Sequence, residues 1–139
     1  TGTARFGSIK NPLFRGGGRV FGPEPRLYDF KLNKKVKRLA RKSALTYKMQ
    51  DNNIYVLDNL NFDEIKTKNI VGLKNNFKFD DKKVLIVMSE SNKNVYLSAR
   101  NLKDVNVVTA SELTTYDIMW ASILMVEEKS ICVFESILS

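Results

Sequence analysis

Between residues 54 and 139, short apolar runs alternate with longer segments of mixed polarity. The runs predict four strands, at 54–57, 84–88, 105–109 and 123–126. The run at 84–88 is apolar throughout, which is typical of a strand buried on both faces. The intervening segments predict helices, at 67–77, 92–102, 111–121 and 127–138. Strands separated by helices of about ten residues favour parallel pairing through right-handed crossovers.

One further helix is predicted ahead of these elements, at 34–49, with Asn33 as its N-cap. Several apolar and small residues fall on one of its stripes at helical spacing: Val36, Leu39, Ala40, Ser43, Ala44 and Tyr47. Residues 1–32 hold apolar side chains among glycine and arginine without a lasting period, and they predict a loop. The predicted fold class is therefore α/β. We expect a three-layer α/β/α domain at 33–139 with a mostly parallel four-stranded sheet, preceded by an extended basic arm at 1–32.

Several conspicuous residues are most simply explained by packing. Tyr96 is expected to point inward from the helix at 92–102, and Trp120 and Tyr116 are expected to be core or packing residues. Cys132 lies at an apolar position of the last helix and is expected to be a small core residue rather than a nucleophile. Because it is the single cysteine, it forms no internal disulfide, which fits a reducing compartment.

The positive charge of the chain is concentrated near the beginning of the sequence. The first 48 residues carry 13 Lys or Arg and two acids, whereas the other 91 carry 10 basic and 13 acidic side chains. The whole net charge of +8 therefore comes from that end. Such an asymmetry favours a polyanionic partner, and nucleic acid is the leading candidate. Ordering a residue costs about 1–2 kcal/mol of backbone entropy, so we expect the irregular arm to be mobile until its partner orders it.

Cations, glycines and aromatic rings are interleaved in the arm. The cations recur at intervals of four to seven residues: Arg5, Lys10, Arg15, Arg19 and Arg26. Phe14 and Phe21 lie beside arginines, with the glycines between them: Gly16, Gly17 and Gly18. Arginine can bind phosphate or stack on a base, aromatic rings can take unstacked bases, and glycine lets the backbone approach a crowded surface. These residues are candidate RNA contacts. The alternative is a disordered linker, which would usually avoid bulky apolar side chains.

The helix predicted at 34–49 carries positive charges at its N-terminal end, where acidic side chains are preferred. Its first turns hold four cations: Lys34, Lys35, Lys37 and Arg38. Together with free backbone N–H groups, these cations predict a phosphate-binding site that Arg41 and Lys42 extend. The alternative is a basic helix face that is simply exposed to solvent. Arg100 lies near the C-terminal end of the helix predicted at 92–102, where a cation interacts favourably with the helix dipole. This structural role is the first interpretation of Arg100, and RNA binding is the second.

Other classes of function have less support in the sequence. The three glycines do not form a nucleotide-binding loop, because Pro12 precedes them, Pro23 follows and no Gly-Lys-Ser/Thr ending is present. The chain has no histidine, so catalysis is a weak hypothesis, and we expect no cofactor and no metal. An open α/β enzyme would need a polar cleft at the strand ends, for which the sequence offers no evident set of residues. No apolar run reaches the roughly 18–20 residues of a membrane span, so no membrane partner is expected.

Several short motifs follow one another in a definite order. In the arm they are Thr1-Gly2, Ala4-Arg5, Gly7-Ser8-Ile9-Lys10, Pro12, Arg15-Gly16-Gly17-Gly18 and Phe21-Gly22-Pro23. Farther on they are Asn33-Lys34-Lys35, the run 40–45, Lys66-Thr67-Lys68 and the run 94–102. Taken together these motifs resemble the bacterial large-subunit ribosomal protein L-four family over nearly the whole chain. The resemblance weakens after about Trp120.

The resemblance implies a three-layer domain on the exterior of the large ribosomal subunit and a loop that threads rRNA towards the polypeptide exit tunnel. It implies a structural, non-catalytic protein of the cytoplasmic ribosome. Its partners would be large-subunit rRNA, neighbouring proteins including L-twenty-two, and the nascent polypeptide. The matching binding positions are those of the arm and of the helix at 34–49: Arg5, Lys10, Arg15, Gly16 to Gly18, Phe21 and the helix cations.

The chain departs from the family pattern in three respects. The family's first strand and helix, and a lysine that would precede Thr1, are absent, so we expect further residues upstream. Phe6 replaces a polar residue, and the last helix, with Cys132 and Phe134, is less polar than the family's ending. The alternative function is a non-ribosomal RNA- or DNA-binding module with a basic disordered arm, which would bind ribosomal and unrelated RNA equally well.

Overall fold

A computed structural model of the chain describes residues 2, 5 and 7–138. The motif residues Thr1, Ala4 and Phe6 lie outside the described residues. The chain divides into two units, Thr1–Lys31 and Leu32–Ser139. Regular secondary structure in the described residues belongs to the second unit, which is an α/β domain.

The second unit contains a parallel four-stranded sheet. Its strands are β1 (Ile54–Leu57), β2 (Val84–Met88), β3 (Val105–Thr109) and β4 (Ile123–Glu127). The strand order is β1-β4-β2-β3, and every pairing is parallel. The predicted strands are confirmed to within one residue, because each corresponds to a continuous apolar run. β2 and β4 occupy the centre of the sheet, and all of their residues are buried.

Helices cover both faces of this sheet. They are α1 (Lys34–Gln50), α2 (Thr67–Asn76), α3 (Lys93–Ala99), α4 (Thr115–Trp120) and α5 (Glu128–Leu138). One core cluster joins Ile86 of β2 to Ile70 of α2 and Val95 of α3. The other joins Leu85 of β2 to Ala44 of α1 and Ile118 of α4, with α5 packed against it. The two faces of the sheet are therefore both buried, and the predicted three-layer α/β fold is confirmed.

The helix ends are set by local capping more than by the extent of the apolar pattern. α3 begins after Asn92, whose side chain accepts hydrogen bonds from the backbone N–H groups of Asn94 and Val95. α4 begins after Thr114, which forms a reciprocal capping box with Asp117. The capping box makes α4 begin at Thr115, four residues later than predicted. α3 begins beside its predicted start at residue 92, but it ends at Ala99, three residues earlier than predicted, with Arg100 at its C-cap. Thr67 is the first residue of α2 and not its cap, which is Lys66 without a side-chain cap hydrogen bond.

The packing face of α1 differs from the stripe identified in the sequence. Of that stripe only Ala44 is buried, and its large members are exposed: Val36, Leu39 and Tyr47. The less exposed positions instead include 41, 44, 45 and 48, which also recur at helical spacing. Leu45 packs against the core, and the Lys48 ammonium donates a hydrogen bond of 2.6 Å to the carbonyl of Ala121. The end of α1 is thereby fixed to the end of α4.

Three further packing predictions are wrong. Tyr96 is 51% exposed and Tyr116 is 75% exposed, because α3 and α4 bury other faces. Cys132 is also exposed. The face of α5 directed to the core carries Ser130, with Val133 and Phe134 half-buried at the next turn, so residue 132 lies on the opposite side. Trp120 is half-buried and does pack against the core.

Candidate nucleic-acid interface

The arm contains three consecutive hydrogen-bonded turns between residues 8 and 17. The backbone N–H of Asn11 donates to the carbonyl of Ser8 at 3.2 Å. The N–H of Phe14 then donates to the carbonyl of Asn11, and that of Gly17 to the carbonyl of Phe14, both at 3.0 Å. Each bond joins residues three apart, as in a β-turn. This part of the arm therefore has a defined backbone path of its own.

Further hydrogen bonds close and support these turns. The N–H of Gly18 donates to the carbonyl of Lys10 at 2.9 Å and brings the two ends of the segment together. The Asn11 side-chain carbonyl accepts from the N–H of Leu13 at 3.2 Å, an interaction that favours a turn around the intervening Pro12. We call residues 8–18, held by these bonds, the turn cluster.

At two positions of the turn cluster, glycine is required by the backbone conformation or by the space available for a side chain. Gly16 has φ +76°, a backbone conformation that glycine adopts without a Cβ penalty. Gly17 has no room for a Cβ, which would overlap the carbonyl oxygen of Asn11 and lie 3.1 Å from that of Phe14. The sequence suggested that the glycines allow close approach to another surface. At Gly17 the surface is the backbone of the arm itself.

The cations of the arm are directed to solvent. The five basic candidates are all exposed: Arg5, Lys10, Arg15, Arg19 and Arg26. Lys10, Arg15 and Arg19 form no ion pair with Glu24 or Asp29, the two acids of that unit. Their charges are therefore not neutralised by the carboxylates of the arm.

The aromatic candidates of the arm differ in exposure. Phe21 is 90% exposed, whereas Phe14 is 39% exposed and belongs to the turn cluster. Tyr28 is a further candidate that the sequence patterns did not indicate. The guanidinium carbon of Arg26 lies 4.9 Å from the centroid of the Tyr28 ring, within the range of a cation–π interaction. The available signal was the spacing of an arginine and a tyrosine two residues apart after Pro25.

The beginning of α1 is an exposed, uncapped and basic helix terminus. Asn33 occupies the N-cap position but makes no side-chain cap hydrogen bond, and the first turn holds no acid. All residues from 34 to 39 are exposed, because the helix packs on the domain only from its second half. Four cations therefore surround free backbone N–H groups: Lys34, Lys35, Lys37 and Arg38. The helix dipole and these side chains both favour a bound anion.

The remaining basic candidates are separated from this group. Lys42 is exposed, but Arg41 is half-buried on the packing side of α1. Arg100 is exposed at the C-cap of α3. Since α1 and α3 cover opposite faces of the sheet, the structure does not bring Arg100 together with the cations of α1.

A polar crevice of about 390 Å³ lies at the carboxyl ends of the strands, although the sequence had indicated no set of polar groups there. The side chain of Glu127 at the end of β4 is buried, and its carboxylate accepts hydrogen bonds from the backbone N–H and the hydroxyl of Ser89, both at 2.8 Å. The Asn92 amide donates to Asn61, whose own amide donates to Asn59. These groups mainly bond to one another and thereby connect the loops after β1 and β2 and the end of β4.

Among residues 2, 5 and 7–138, no three acidic or cysteine side chains converge as potential metal ligands. In the same part of the chain, no helix combines the length and apolar character needed to cross a membrane.

Comparison with known proteins gives one consistent result. The sequence profile of the ribosomal protein L4/L1 family matches residues 1–137. The large ribosomal subunit protein uL4 of Flavobacterium johnsoniae is 56% identical over 139 residues, which is 100% of this chain and 66% of that protein. The proteins of the same name from Phocaeicola vulgatus and Bacteroides fragilis are 55% and 54% identical, covering 99% of this chain and 66% of each protein. The chain thus spans 66% of the length of these relatives.

Proposed function

The chain belongs to the ribosomal protein L4/L1 family, and we propose on this premise that it is a structural component of the large ribosomal subunit that binds rRNA. The relatives are named as proteins of that subunit and share more than half of their aligned residues with this chain. The proposed role is assembly and support of the ribonucleoprotein rather than catalysis. The proposed location is the ribosome in the cytoplasm.

The observation that carries the proposal is the exposed basic surface on two elements. The cations of the arm lie in solvent, and the first two turns of α1 present four more around an uncapped helix terminus. In the absence of an anion, the helix dipole makes this placement of charge unfavourable. Phosphate groups of RNA would offset the cost, and the backbone N–H groups would donate to them.

We propose that residues 1–32 and residues 33–139 make different contacts with rRNA. The first segment would neutralise and space rRNA phosphates through Arg5, Lys10, Arg15, Arg19 and Arg26, with Phe14 and Phe21 available to unstacked bases. The second would anchor the chain through the cations of α1. Arg41 and Arg100 have a smaller role in this proposal, because the first is half-buried and the second lies across the sheet.

Finer aspects of the proposal rest on the family resemblance. The arm would extend towards the polypeptide exit tunnel, beside protein L-twenty-two and the nascent polypeptide. Other large-subunit proteins would be neighbours of the α/β domain. No cofactor, metal or membrane enters this function.

The salt dependence of RNA binding tests the proposal. If six to ten phosphates are neutralised, the affinity of the chain for a large-subunit rRNA fragment should fall about 10³–10⁵-fold between roughly 50 and 200 mM salt. Filter binding or fluorescence anisotropy over this range measures the slope. A slope near zero would contradict the proposal, since phosphate contacts release counterions.

An unrelated structured RNA of equal length separates the two candidate functions. The ribosomal protein should retain a preference for the rRNA fragment at salt concentrations where non-specific binding is lost. Equal affinity for both RNAs would instead favour a general RNA- or DNA-binding module with a basic arm.

A further inference from the structure

Arg26 and Tyr28 form a preassembled pair in a segment that otherwise has no regular structure. Residues 19–32 make no backbone hydrogen bond to one another, and all of them are exposed. Within this segment the Arg26 guanidinium carbon lies 4.9 Å from the centroid of the Tyr28 ring. Such a pair restricts both side chains before any partner arrives, which lowers the entropy cost of ordering them later.

The Tyr28 ring remains largely accessible although the cation lies over it. The residue is 77% exposed, so Arg26 covers at most one part of the ring and leaves apolar surface in water. An aromatic ring with a cation on one face can still receive a second flat partner on the other. The bases of nucleic acids are such partners, because each has a π-face irrespective of sequence.

We propose that Tyr28 and Arg26 form a stacking site for an unpaired nucleobase of RNA. The base lies on the open face of Tyr28, and Arg26 occupies the other side of the ring. This inference rests on the proposed function, since it specifies how the same arm contacts RNA. It adds a ring that is already paired with a cation to the two phenylalanines, Phe14 and Phe21, that the proposed function makes available to bases.

The chemistry of RNA restricts the ligand to unpaired nucleotides. In a double helix the bases are stacked on each other, and the deep major groove admits no flat side chain. Loops, bulges and ends expose base faces that aromatic and arginine side chains can cover. The site therefore takes a single-stranded or bulged segment rather than a duplex.

Another aromatic residue of the same segment provides an internal comparison. Phe30 is 82% exposed, like Tyr28, but no cation of the described residues lies over its ring. Replacement of either residue by leucine removes a ring of similar size from the same irregular segment. If the preassembled pair determines stacking, only the change at Tyr28 should affect it.

The test compares two probes with the same phosphates, using the whole 139-residue chain. One is an oligoadenylate of about twelve nucleotides carrying 2-aminopurine, and the other is an abasic oligomer of the same length. The wild-type chain should bind the oligoadenylate about 5- to 150-fold more tightly than the abasic probe, with quenching of 2-aminopurine on stacking.

The variants then assign the preference to the pair. Tyr28→Leu should lower the ratio of the two affinities at least about fivefold, whereas Tyr28→Phe should retain it. Arg26→Lys should lower the ratio with little change in the salt slope, because the charge stays and the planar group is lost. Phe30→Leu should leave the ratio unchanged.

The outcomes also separate this inference from the proposed function. An unchanged ratio in Tyr28→Leu, or an equal loss in Phe30→Leu, would overturn the stacking site. In that case salt-dependent binding of the abasic probe and of rRNA would leave the proposed function intact. Absence of salt-dependent binding to any of the RNAs would remove both.

Discussion

A methyl group at Gly17 cannot be accommodated in the turn cluster. The Cβ of an alanine there would overlap the carbonyl oxygen of Asn11, lie 2.9 Å from its carbonyl carbon and lie 3.1 Å from the carbonyl oxygen of Phe14. Real Cβ atoms essentially never approach another heavy atom within 3.0 Å, and all three of these atoms belong to the backbone. The backbone of the turn must therefore move.

The cost follows from the hydrogen bonds on either side of the methyl group. Displacement of residue 17 breaks its own bond to Phe14 at 3.0 Å and the neighbouring bond from Gly18 to Lys10 at 2.9 Å. At about 0.5–1.5 kcal/mol each, the two bonds account for about 1–3 kcal/mol of turn stability. If RNA binds the turn cluster as folded, the affinity of Gly17→Ala should fall about 5- to 150-fold.

Gly22→Ala is the matched control, because a Cβ at that position meets no atom within 4 Å and no positive φ is required. Gly16→Ala should lie between the two, since φ +76° imposes strain of about 1–2 kcal/mol on an alanine without a steric clash.

Two measurements test this reasoning. Amide hydrogen exchange should report faster exchange at Gly18 in Gly17→Ala than in Gly22→Ala, and anisotropy with an rRNA fragment should report the affinities. The melting of the α/β domain, followed by circular dichroism, should be the same in both variants. Equal RNA affinity of Gly17→Ala and Gly22→Ala would refute a preformed turn cluster as the binding conformation.

Two further predictions concern the basic residues. Arg15→Glu with Arg19→Glu should weaken rRNA binding and reduce its salt slope while the α/β domain stays folded; unfolding detected by circular dichroism would show that these arginines have been assigned to the wrong element. Lys35→Glu should stabilise the domain by about 0.3–1 kcal/mol, because it places an acid in the first turn of α1, yet it should weaken RNA binding. Lys68→Glu, in the first turn of α2, should give a similar stabilisation in denaturant titrations without loss of RNA affinity. Equal losses of RNA affinity in Lys35→Glu and Lys68→Glu would argue against a phosphate-binding site at the beginning of α1.

Much of the secondary structure was readable from the sequence because it depends on near neighbours. β2 is a run of five apolar residues, and such a run needs no knowledge of its partners to be identified as a buried strand. The cap that sets the start of α4 was also present as a local signal, a threonine three residues before an aspartate at residue 117. The cap of α3 is an asparagine at residue 92, where the predicted helix begins. The predicted start of α4, at residue 111, precedes this capping box, and the predicted end of α3, at residue 102, lies three residues beyond Ala99.

The faces of the helices could not be chosen in the same way. α1 carries apolar side chains on two stripes, and the stripe that packs includes two cations, Arg41 and Lys48. Lys48 tolerates this position because its ammonium reaches the carbonyl of Ala121, a residue 73 positions away. In α5, Ser130 is buried and Cys132 exposed, contrary to the expectation from residue type alone.

The residues of the chain are enough to establish the parallel α/β class, the apolar strands and the concentration of positive charge near one end, because each depends on composition or on residues within a few positions. Only the folded structure establishes the strand order β1-β4-β2-β3, the packing face of α1 and the burial of Glu127 beside Ser89. It also brought Gly17 against Asn11 and Arg26 over Tyr28. These contacts depend on which backbone and side-chain atoms meet once the chain has folded, and periodicity in the sequence carries no such information.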